Sequence, residues 1–279
     1  MTTTAALWSG KRLRMAAAAL IVVNGFFPAL WILLTSLKSE SELVRKPITW
    51  LPHAPTLDNY VHAFTAQPLL HYLGNSLMVA SLSTVLSLLV AACAAYAIAR
   101  LNLRYRQWIL TAIVASSMFP LISLLVPIFE TMRSLNLLNS YLALVLPYTV
   151  LNLPVCTLVL VSFFQSIPKD LENAAMIDGC SRLGALWRVV IPLSAPGVFT
   201  AGILAFVNAW DEFLLALSLN ASAAMRTAPV GIALYQGEYA FPWPLISAAL
   251  VITIVPVAVL IALFQERVIG GLTQGGLKG

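Results

Sequence analysis

Two adjacent carboxylates, Asp211 and Glu212, lie within the apolar stretch "NAWDEFLLAL" that begins at Asn208. A charge among apolar residues is costly in a membrane, so such a pair is satisfied within a helix bundle, exposed to a water-filled cavity or used in proton transfer. Asn208, Trp210 and the earlier Asn152 offer the polar and aromatic groups that sugars favour. These five residues are candidates for a substrate pathway, and a role in gating or packing stays open for each.

The sequence patterns of common catalytic sites are absent. The chain has no HExxH, GxSxG or CxxC motif, and none of its cysteines or histidines has the spacing of a metal site. It also lacks GxxxxGK[ST], so it cannot bind ATP through a P-loop. We therefore expect a non-catalytic chain without a cofactor or metal of its own. If ATP drives it, a separate ATPase must bind the ATP and magnesium.

The composition indicates a membrane protein. Of the 279 residues 60% are hydrophobic and 10% are charged, against roughly 25% charged residues in a soluble domain. A helix needs roughly 20 apolar residues to cross about 30 Å of hydrocarbon, and lipid leaves the backbone no partner outside its own segment. Six segments qualify as helical spans: about residues 15–37, 73–99, 107–132, 142–164, 197–219 and 244–264.

Lysine and arginine residues indicate the orientation. Eleven of the 16 lie in the N-terminus, in residues 100–106, in residues 165–190 and in the C-terminal tail. By the positive-inside rule these parts are cytoplasmic. The predicted parts are a cytoplasmic N-terminus of residues 1–14, a transmembrane domain of residues 15–267 that includes a cytoplasmic loop of residues 165–196, and a cytoplasmic tail of residues 268–279.

The cytoplasmic loop 165–196 is predicted to form a helical hairpin. Pro168 suits the first turn of one helix, and Gly179 can take a left-handed conformation that turns the chain. Ser181 then caps a second helix, which Pro192 is expected to help end. The predicted apolar stripe of that second helix consists of Leu183, Leu186, Trp187 and Val190.

This hairpin resembles the EAA signature of ABC importer permeases, in which Glu-Ala-Ala is followed by Asp-Gly-Ala and then by a leucine-flanked proline. Here the pattern appears as "NAAMIDGC" from Asn173 and "IPL" from Ile191. Asn173 replaces the glutamate of the motif, which leaves Glu172 one position early, and Cys180 replaces its alanine. The resemblance implies a coupling helix that docks on an ATPase through Glu172, Asn173, Ala174, Ala175, Asp178, Gly179, Cys180, Arg182 and Pro192.

The resemblance covers nearly the whole chain and points to the sugar-importer branch. "FPLISLLVPIFETMRSLNLLNSYLALVL" from Phe119 and the tail "GGLTQGGLKG" from Gly270 are similar to the smaller permease of maltose-type transporters. It implies an all-α polytopic membrane protein with six transmembrane helices, the type I ABC importer permease (MetI-like) fold. The glycine-rich tail is not expected to form a stable helix; in that family it reaches between the ATPase subunits.

By the same resemblance, the chain is a permease subunit that moves a di- or oligosaccharide, or a related polyol or glycoside, into the cytoplasm by alternating access. Its partners would be a second homologous permease, two copies of a cytoplasmic ABC ATPase, an extracytoplasmic sugar-binding protein and the lipids of a bacterial inner membrane, with no nucleic acid. The alternative is an ion-gradient-driven secondary transporter that uses Asp211 and Glu212. The chain shows no inverted repeat of the kind common in such transporters.

The outer loop 221–243 is longer than a minimal helix connection needs. Its stretch "LYQGEYAFPWP" suits contact with a sugar-binding protein, and in maltose-type permeases the loop at this place enters that protein's cleft. An interfacial aromatic belt that includes Phe241 and Trp243 is the alternative. The candidate contact residues are Tyr235, Gln236, Gly237, Glu238 and Tyr239.

Overall fold

The computed structural model describes the backbone of residues 3–237 and 241–276 and the side chains of residues 15–237 and 241–264. All regular elements in these ranges are helical. The α-helices are α1 Thr3–Ser36, α2 Glu40–Leu43, α3 Asp58–Ala66, α4 Leu69–Arg100, α5 Arg106–Ser117, α6 Leu121–Ser134, α7 Tyr141–Ser166, α8 Lys169–Ile177, α9 Arg182–Ala185, α10 Ile191–Leu193, α11 Ala195–Trp210, α12 Leu214–Leu219, α13 Ala228–Ala233 and α14 Trp243–Gly276. A π-helix, Leu186–Val190, joins α9 to α10, and a 3-10 turn, Ala223–Met225, precedes α13.

Four helices within the described ranges are long and apolar enough to cross a membrane, and the number rises to six if each of two sharply bent pairs forms one span. Each of the four overlaps one of the segments predicted from the sequence. They are Met15–Ser36 in α1, Leu69–Arg100, Tyr141–Ser166 and Trp243–Phe264 in α14.

The third predicted segment, residues 107–132, is two helices rather than one. α5 and α6 meet at 90° across a short break. Pro120 precedes α6 with extended backbone, and it has no N–H to continue the hydrogen-bond pattern of α5. The hydroxyls of Ser116 and Ser117 donate to carbonyls three residues earlier, both at 2.7 Å. These bonds supply partners near the end of α5, where the helix leaves carbonyls unpaired.

The helix before α11 does not end at Pro192, as the sequence predicted. The chain stays helical from Arg182 to Leu193 and bends by 84° into α11. The N–H of Ile191 donates to the carbonyl of Leu186, five residues earlier, in a π-turn. This wider turn lets the helix pass Pro192, which has no N–H and would clash with the preceding turn of a regular α-helix.

The C-terminal helix α14 extends to Gly276, beyond the predicted end of the sixth segment at residue 264. The glycine-rich tail was expected not to form a stable helix, and this expectation is wrong for the backbone up to Gly276. A glycine costs a helix about 1 kcal/mol relative to alanine, but it still donates and accepts the regular hydrogen bonds. Residues 277–279 lie outside the described ranges.

The chain divides into two compact units, one of residues 1–69 and 232–254 and the other of residues 70–231 and 255–279. In the second unit α11 packs along α7, and two apolar clusters form the core. One cluster lies around Tyr96, Leu160, Phe164, Leu186 and Val190. The other lies around Leu144, Tyr148, Phe206, Trp210 and Leu219.

In the first unit, buried charged side chains organise the segment after α1. The Lys38 ammonium lies 5.0 Å from the centre of the Trp31 ring and donates to the carbonyl of Thr49. Glu42 accepts hydrogen bonds from the Thr49 hydroxyl at 2.8 Å and from the His53 N–H at 3.0 Å. Burial raises the pKa of the Glu42 carboxyl. These two hydrogen bonds and the charges of His53 and Lys38 together lower it by more than burial raises it, so the pKa lies below its ordinary value. The carboxylate therefore stabilises this segment at neutral pH, and that contribution is lost as the pH falls through the lowered pKa.

The close approach of α11 to α7 depends on Gly197. An added Cβ at this position would lie 2.3 Å from Cγ of Phe163 and 2.8 Å from its Cβ. Because the Cβ of Phe163 is fixed to its backbone, rotating the ring cannot relieve the clash. A side chain at Gly197 must therefore push the two helices apart.

We predict that Gly197→Ala lowers the stability of the purified protein by about 1–3 kcal/mol, the usual range for overpacking. The thermal midpoint in detergent, read by size-exclusion chromatography after heating, measures the loss. Gly25→Ala is the matched control, since an added Cβ there meets nothing within 4 Å. Equal midpoints for the two variants would contradict the assignment of this contact.

Candidate functional site

The hairpin after α7 has the turn and the cap that the sequence predicted. α8 ends at Ile177, and Gly179 takes a φ of 93°, in the left-handed region that favours glycine. The hydroxyl of Ser181 accepts a hydrogen bond from the Gly184 N–H at 3.1 Å and so caps α9. The reversal of the chain at Gly179 brings α8 against α9 and the π-helix.

Several apolar side chains of the hairpin are exposed. The stripe predicted for the second helix divides into two parts: Leu186 and Val190 are fully buried, whereas Leu183 and Trp187 are exposed. Exposed apolar side chains on an otherwise polar segment are candidates for contact with another molecule. We call this group the outer apolar surface; its members are Leu171, Ile177, Leu183 and Trp187, which are between 46% and 86% exposed.

The other predicted coupling residues lie on the same hairpin, mostly at its surface, with the exception of Glu172. Their contact with a second protein stays a prediction. The exposed members are Asn173, Ala174, Asp178, Gly179, Arg182 and Pro192, and the half-buried members are Ala175 and Cys180.

Glu172 is the one buried residue of α8. Its carboxylate lies 3.2 Å from Nε of Arg100 and accepts a hydrogen bond from the hydroxyl of Tyr96. Its carboxylate is therefore held by contacts within the chain, and a part for Glu172 in docking stays a prediction. Sequence reasoning missed Tyr96 and Arg100. The only signal was their i, i+4 spacing at the end of α4, which places both on one face of the helix.

Of the candidate pathway residues, Asn152 joins two helices. It is buried in α7, its side-chain oxygen accepts from the Asn208 amide at 2.9 Å, and its own amide donates to the carbonyl of Ala205 at 3.3 Å. Both partners belong to α11. Asn152 therefore holds α7 to α11 and has little capacity left for a substrate.

Glu212 fills the break between α11 and α12. One carboxylate oxygen accepts the N–H of Leu215 at 2.8 Å, and the other accepts the N–H of Ala216 at 3.1 Å. The hydroxyl of Tyr148 also donates to this carboxylate. Since the first N–H groups of a helix have no partner within it, Glu212 serves as the cap that allows α12 to begin here.

Asn208 and Asp211 are the two pathway candidates with exposed side chains. They lie three positions apart where α11 ends, and Asp211 accepts no side-chain hydrogen bond from the described residues. Trp210 is buried instead and stacks on Phe206 with ring centres 5.6 Å apart. The exposed polar face at the end of α11 thus consists of Asn208 and Asp211.

The first part of the outer loop 221–243 is held by hydrogen bonds to another part of the chain. The Asn75 amide donates to the carbonyls of Ala224 and Arg226 at 3.0 and 2.9 Å, and the N–H of Ala228 donates to the Ser76 hydroxyl at 2.8 Å. This part of the loop is therefore held by the start of α4.

The candidate contact residues of this loop differ in exposure. Tyr235 is buried and its hydroxyl donates to the carbonyl of Ala63, so it anchors the loop. Gln236 and Gly237 are exposed. The two remaining candidates, which lie outside the described residues, are Glu238 and Tyr239. Within the described part of the chain, no group of three or more His, Cys, Asp or Glu residues could hold a metal ion.

Comparison with known proteins places this architecture among transport permeases. Residues 83–272 match the family described as the binding-protein-dependent transport system inner membrane component. The sulfoquinovosyl glycerol transport system permease protein SmoH of Agrobacterium fabrum is 71% identical over 272 residues, which cover 98% of this chain and 95% of that protein. The trehalose/maltose transport system permease protein MalG of Thermococcus litoralis is 39% identical over 94% of this chain and 95% of that protein.

A solved structure has the same fold. It is a chain of a bacterial ABC transporter involved in the import of the acidic polysaccharide alginate. The TM-score is 0.80 at 19% identity, and the match covers 95% of this chain and 98% of that chain.

The contrast between the adjacent carboxylates leads to a prediction. Glu212→Ala removes the acceptor of two N–H groups and of the Tyr148 hydroxyl, and we expect it to destabilise the protein by about 1–3 kcal/mol, as for other unsatisfied buried groups. Asp211→Asn removes a charge that accepts no hydrogen bond from the described residues, so the thermal midpoint should stay unchanged. A larger loss for Asp211→Asn than for Glu212→Ala would show that the roles are reversed.

Proposed function

Because the chain belongs to the family of binding-protein-dependent transport system inner membrane components and is a permease subunit of a sugar ABC importer, we propose that it imports sulfoquinovosyl glycerol or a closely similar sulfonated glycoside. The observation that carries the proposal is the 71% identity to the sulfoquinovosyl glycerol permease, against 39% to the trehalose/maltose permease over a similar length. The difference favours the first substrate class over the second.

The chain works with partners that bind the ATP and deliver the sugar. A second homologous permease completes the pathway, two copies of a cytoplasmic ATPase bind ATP and magnesium, and an extracytoplasmic binding protein delivers the substrate. The outer apolar surface and the left-handed turn at Gly179 support a docked hairpin, since apolar groups at a polar surface favour a protein contact. In this assembly both termini and the hairpin face the cytoplasm of a bacterial cell, as the distribution of Lys and Arg favours.

Transport proceeds by alternating access. The loaded binding protein docks outside, ATP closes the ATPase dimer, and the hairpin converts that closure into opening of the pathway towards the outside. ATP and the binding protein need only favour one state over the other by a few kcal/mol to shift the populations. Gln236, Gly237, Glu238 and Tyr239 remain the segment proposed to contact the binding protein, with Tyr235 as its anchor.

Asn208 and Asp211 contribute polar groups to the substrate pathway. A carboxylate accepts hydrogen bonds from sugar hydroxyls but repels a sulfonate, so the hydroxyl groups of the glycoside face Asp211 and the sulfonate lies away from it. An ion-gradient mechanism through Asp211 and Glu212 is not retained. Glu212 is occupied as the cap of α12, and the family uses a different source of energy.

The substrate proposal predicts the uptake profile of the assembled transporter. The complex of the two permeases and two ATPase copies is reconstituted in proteoliposomes with ATP inside. When its binding protein is added outside, it should take up sulfoquinovosyl glycerol, and it should take up trehalose and maltose much more slowly. Labelled substrate and filtration measure the rates, with vesicles that lack ATP as the control. Faster uptake of trehalose than of sulfoquinovosyl glycerol would refute the substrate, and uptake without ATP would refute the mechanism.

The hairpin proposal predicts an uncoupled variant. Proline cannot adopt the φ of 93° found at Gly179, so Gly179→Pro should misplace α9 relative to α8. We expect a complex that assembles yet loses both substrate-stimulated ATP hydrolysis and uptake. Gly184→Ala is the matched control in the same hairpin, since its Cβ would approach the Ser181 hydroxyl no closer than 3.4 Å. Normal uptake by Gly179→Pro would exclude the hairpin as the element that transmits force.

A further inference from the structure

The attachment of α8 to the rest of the chain includes a buried ionic contact. Among its nine residues the only buried one is Glu172, a carboxylate, whereas the apolar Leu171 and Ile177 face outward. A surface helix ordinarily holds to its protein by an apolar stripe that faces the core. In α8 the fully buried position holds a charge, beside the half-buried Ala175 and Met176, so the groups that neutralise Glu172 help to determine where α8 lies.

Arg100 connects three elements at this point. Its Nε lies 3.2 Å from the Glu172 carboxylate in α8, and its Nη2 donates to the carbonyl of Ile167 at 3.0 Å, at the end of α7. Arg100 itself is the last residue of α4. The Tyr96 hydroxyl, one turn earlier in α4, binds the other oxygen of the carboxylate. The ends of two membrane spans and the first helix of the hairpin therefore share one set of polar contacts.

Burial makes this set of contacts costly to break. The side chains of Arg100 and Glu172 are only 3% and 9% exposed. When one partner of a buried ion pair moves away, the other is left as an unpaired and poorly hydrated charge, so the loss is larger than for a surface pair. A surface ion pair, such as Glu130 with Arg133 at 3.7 Å, carries no such penalty.

We infer that Tyr96, Arg100 and Glu172 form an internal joint that makes α4, α7 and α8 move as one body, with Arg100 as the positioning residue. The inference rests on the proposed function, because it assigns a path for the force that the hairpin receives. Displacement of the hairpin by the ATPase then moves the cytoplasmic ends of both spans directly. Glu172 thus acts inside the chain, and the docking contact belongs to the outer apolar surface.

Two other cationic side chains lie near Glu172 and could replace Arg100 as its partner. Lys169 and Arg182 line the same pocket of about 420 Å³ as Arg100 and Glu172. Both are exposed, and either could approach Glu172 after Arg100 is removed. A test therefore needs Glu172→Gln beside Arg100→Gln, together with the charge-reversed pair Arg100→Glu and Glu172→Arg.

In the reconstituted complex, Arg100→Gln and Glu172→Gln should each retain assembly and basal ATP hydrolysis. We expect the sugar moved per ATP hydrolysed to fall severalfold, because α8 can then move without α4 and α7, and the charge-reversed pair to recover part of it. Arg133→Gln on the exposed pair is the control and should match the parent protein. Parental coupling ratios in both single variants would overturn the joint. A parent complex whose ATP hydrolysis does not respond to substrate would instead refute the proposed function.

A cross-link tests the joint even if those variants fail to assemble. Asn102, just after α4, and Met176 of α8 line the same pocket, and neither is among the proposed docking residues. In a background with Cys93, Cys156 and Cys180 replaced by alanine, Asn102→Cys and Met176→Cys should be linked by a short bismaleimide, and the linked complex should transport at the unlinked rate. Arrest of transport by the link, reversed with a cleavable reagent, would show that α4 and α8 move apart and would overturn the inference.

Discussion

Lipid offers no partner to a backbone N–H or C=O, and this constraint determines where the spans of the chain can be interrupted. At the end of α11 the carboxylate of Glu212 takes the place of the missing carbonyls and allows α12 to begin. Before α6 the break coincides with Pro120, which has no N–H to satisfy, and at Pro192 a π-turn carries the helix onward. At these points the polar residues and prolines inside the spans therefore have a structural role, whether or not they also take part in transport.

Local features of the hairpin could be predicted from the sequence, and its long-range contacts could not. The turn at Gly179 and the cap at Ser181 follow from the conformations open to these residues within a few positions. The burial of Glu172 depends on Tyr96, which is 76 positions away, and on Arg100 in the same helix. Nothing in the sequence distinguishes Arg100 from the other nearby cations as the partner. The six apolar segments were likewise evident from composition, but the 90° break in the third was not, because Pro120 precedes α6 whereas Pro127 and Pro147 lie within continuous helices.

The candidate pathway residues show why residue type alone is a weak guide to a binding site. Asn152 has the donors and acceptors that suit a sugar, yet all of its contacts in the structure serve to join α7 to α11. Trp210 has the aromatic face that suits a sugar ring, yet that face stacks on Phe206 in the core. Amides and aromatic rings serve helix packing and carbohydrate binding by the same interactions. Exposure separates the two uses, and Asn208 and Asp211 are the exposed candidates that we propose for the pathway.

The two sides of the hairpin use different interactions, and the difference suits a part that transmits motion. Apolar contact is non-directional and changes gradually with the area covered, so the outer apolar surface can be repacked between states of a partner. The contact between Arg100 and Glu172 is buried, and breaking it would leave a charge unpaired, so in the mechanism we propose it stays made while the outer contact changes. In that mechanism motion of the hairpin reaches α4 and α7 through Arg100, and it reaches α11 through the continuous chain and its 84° bend. The two routes meet at the hydrogen bond between Asn152 of α7 and Asn208 of α11, one turn from the exposed carboxylate of Asp211.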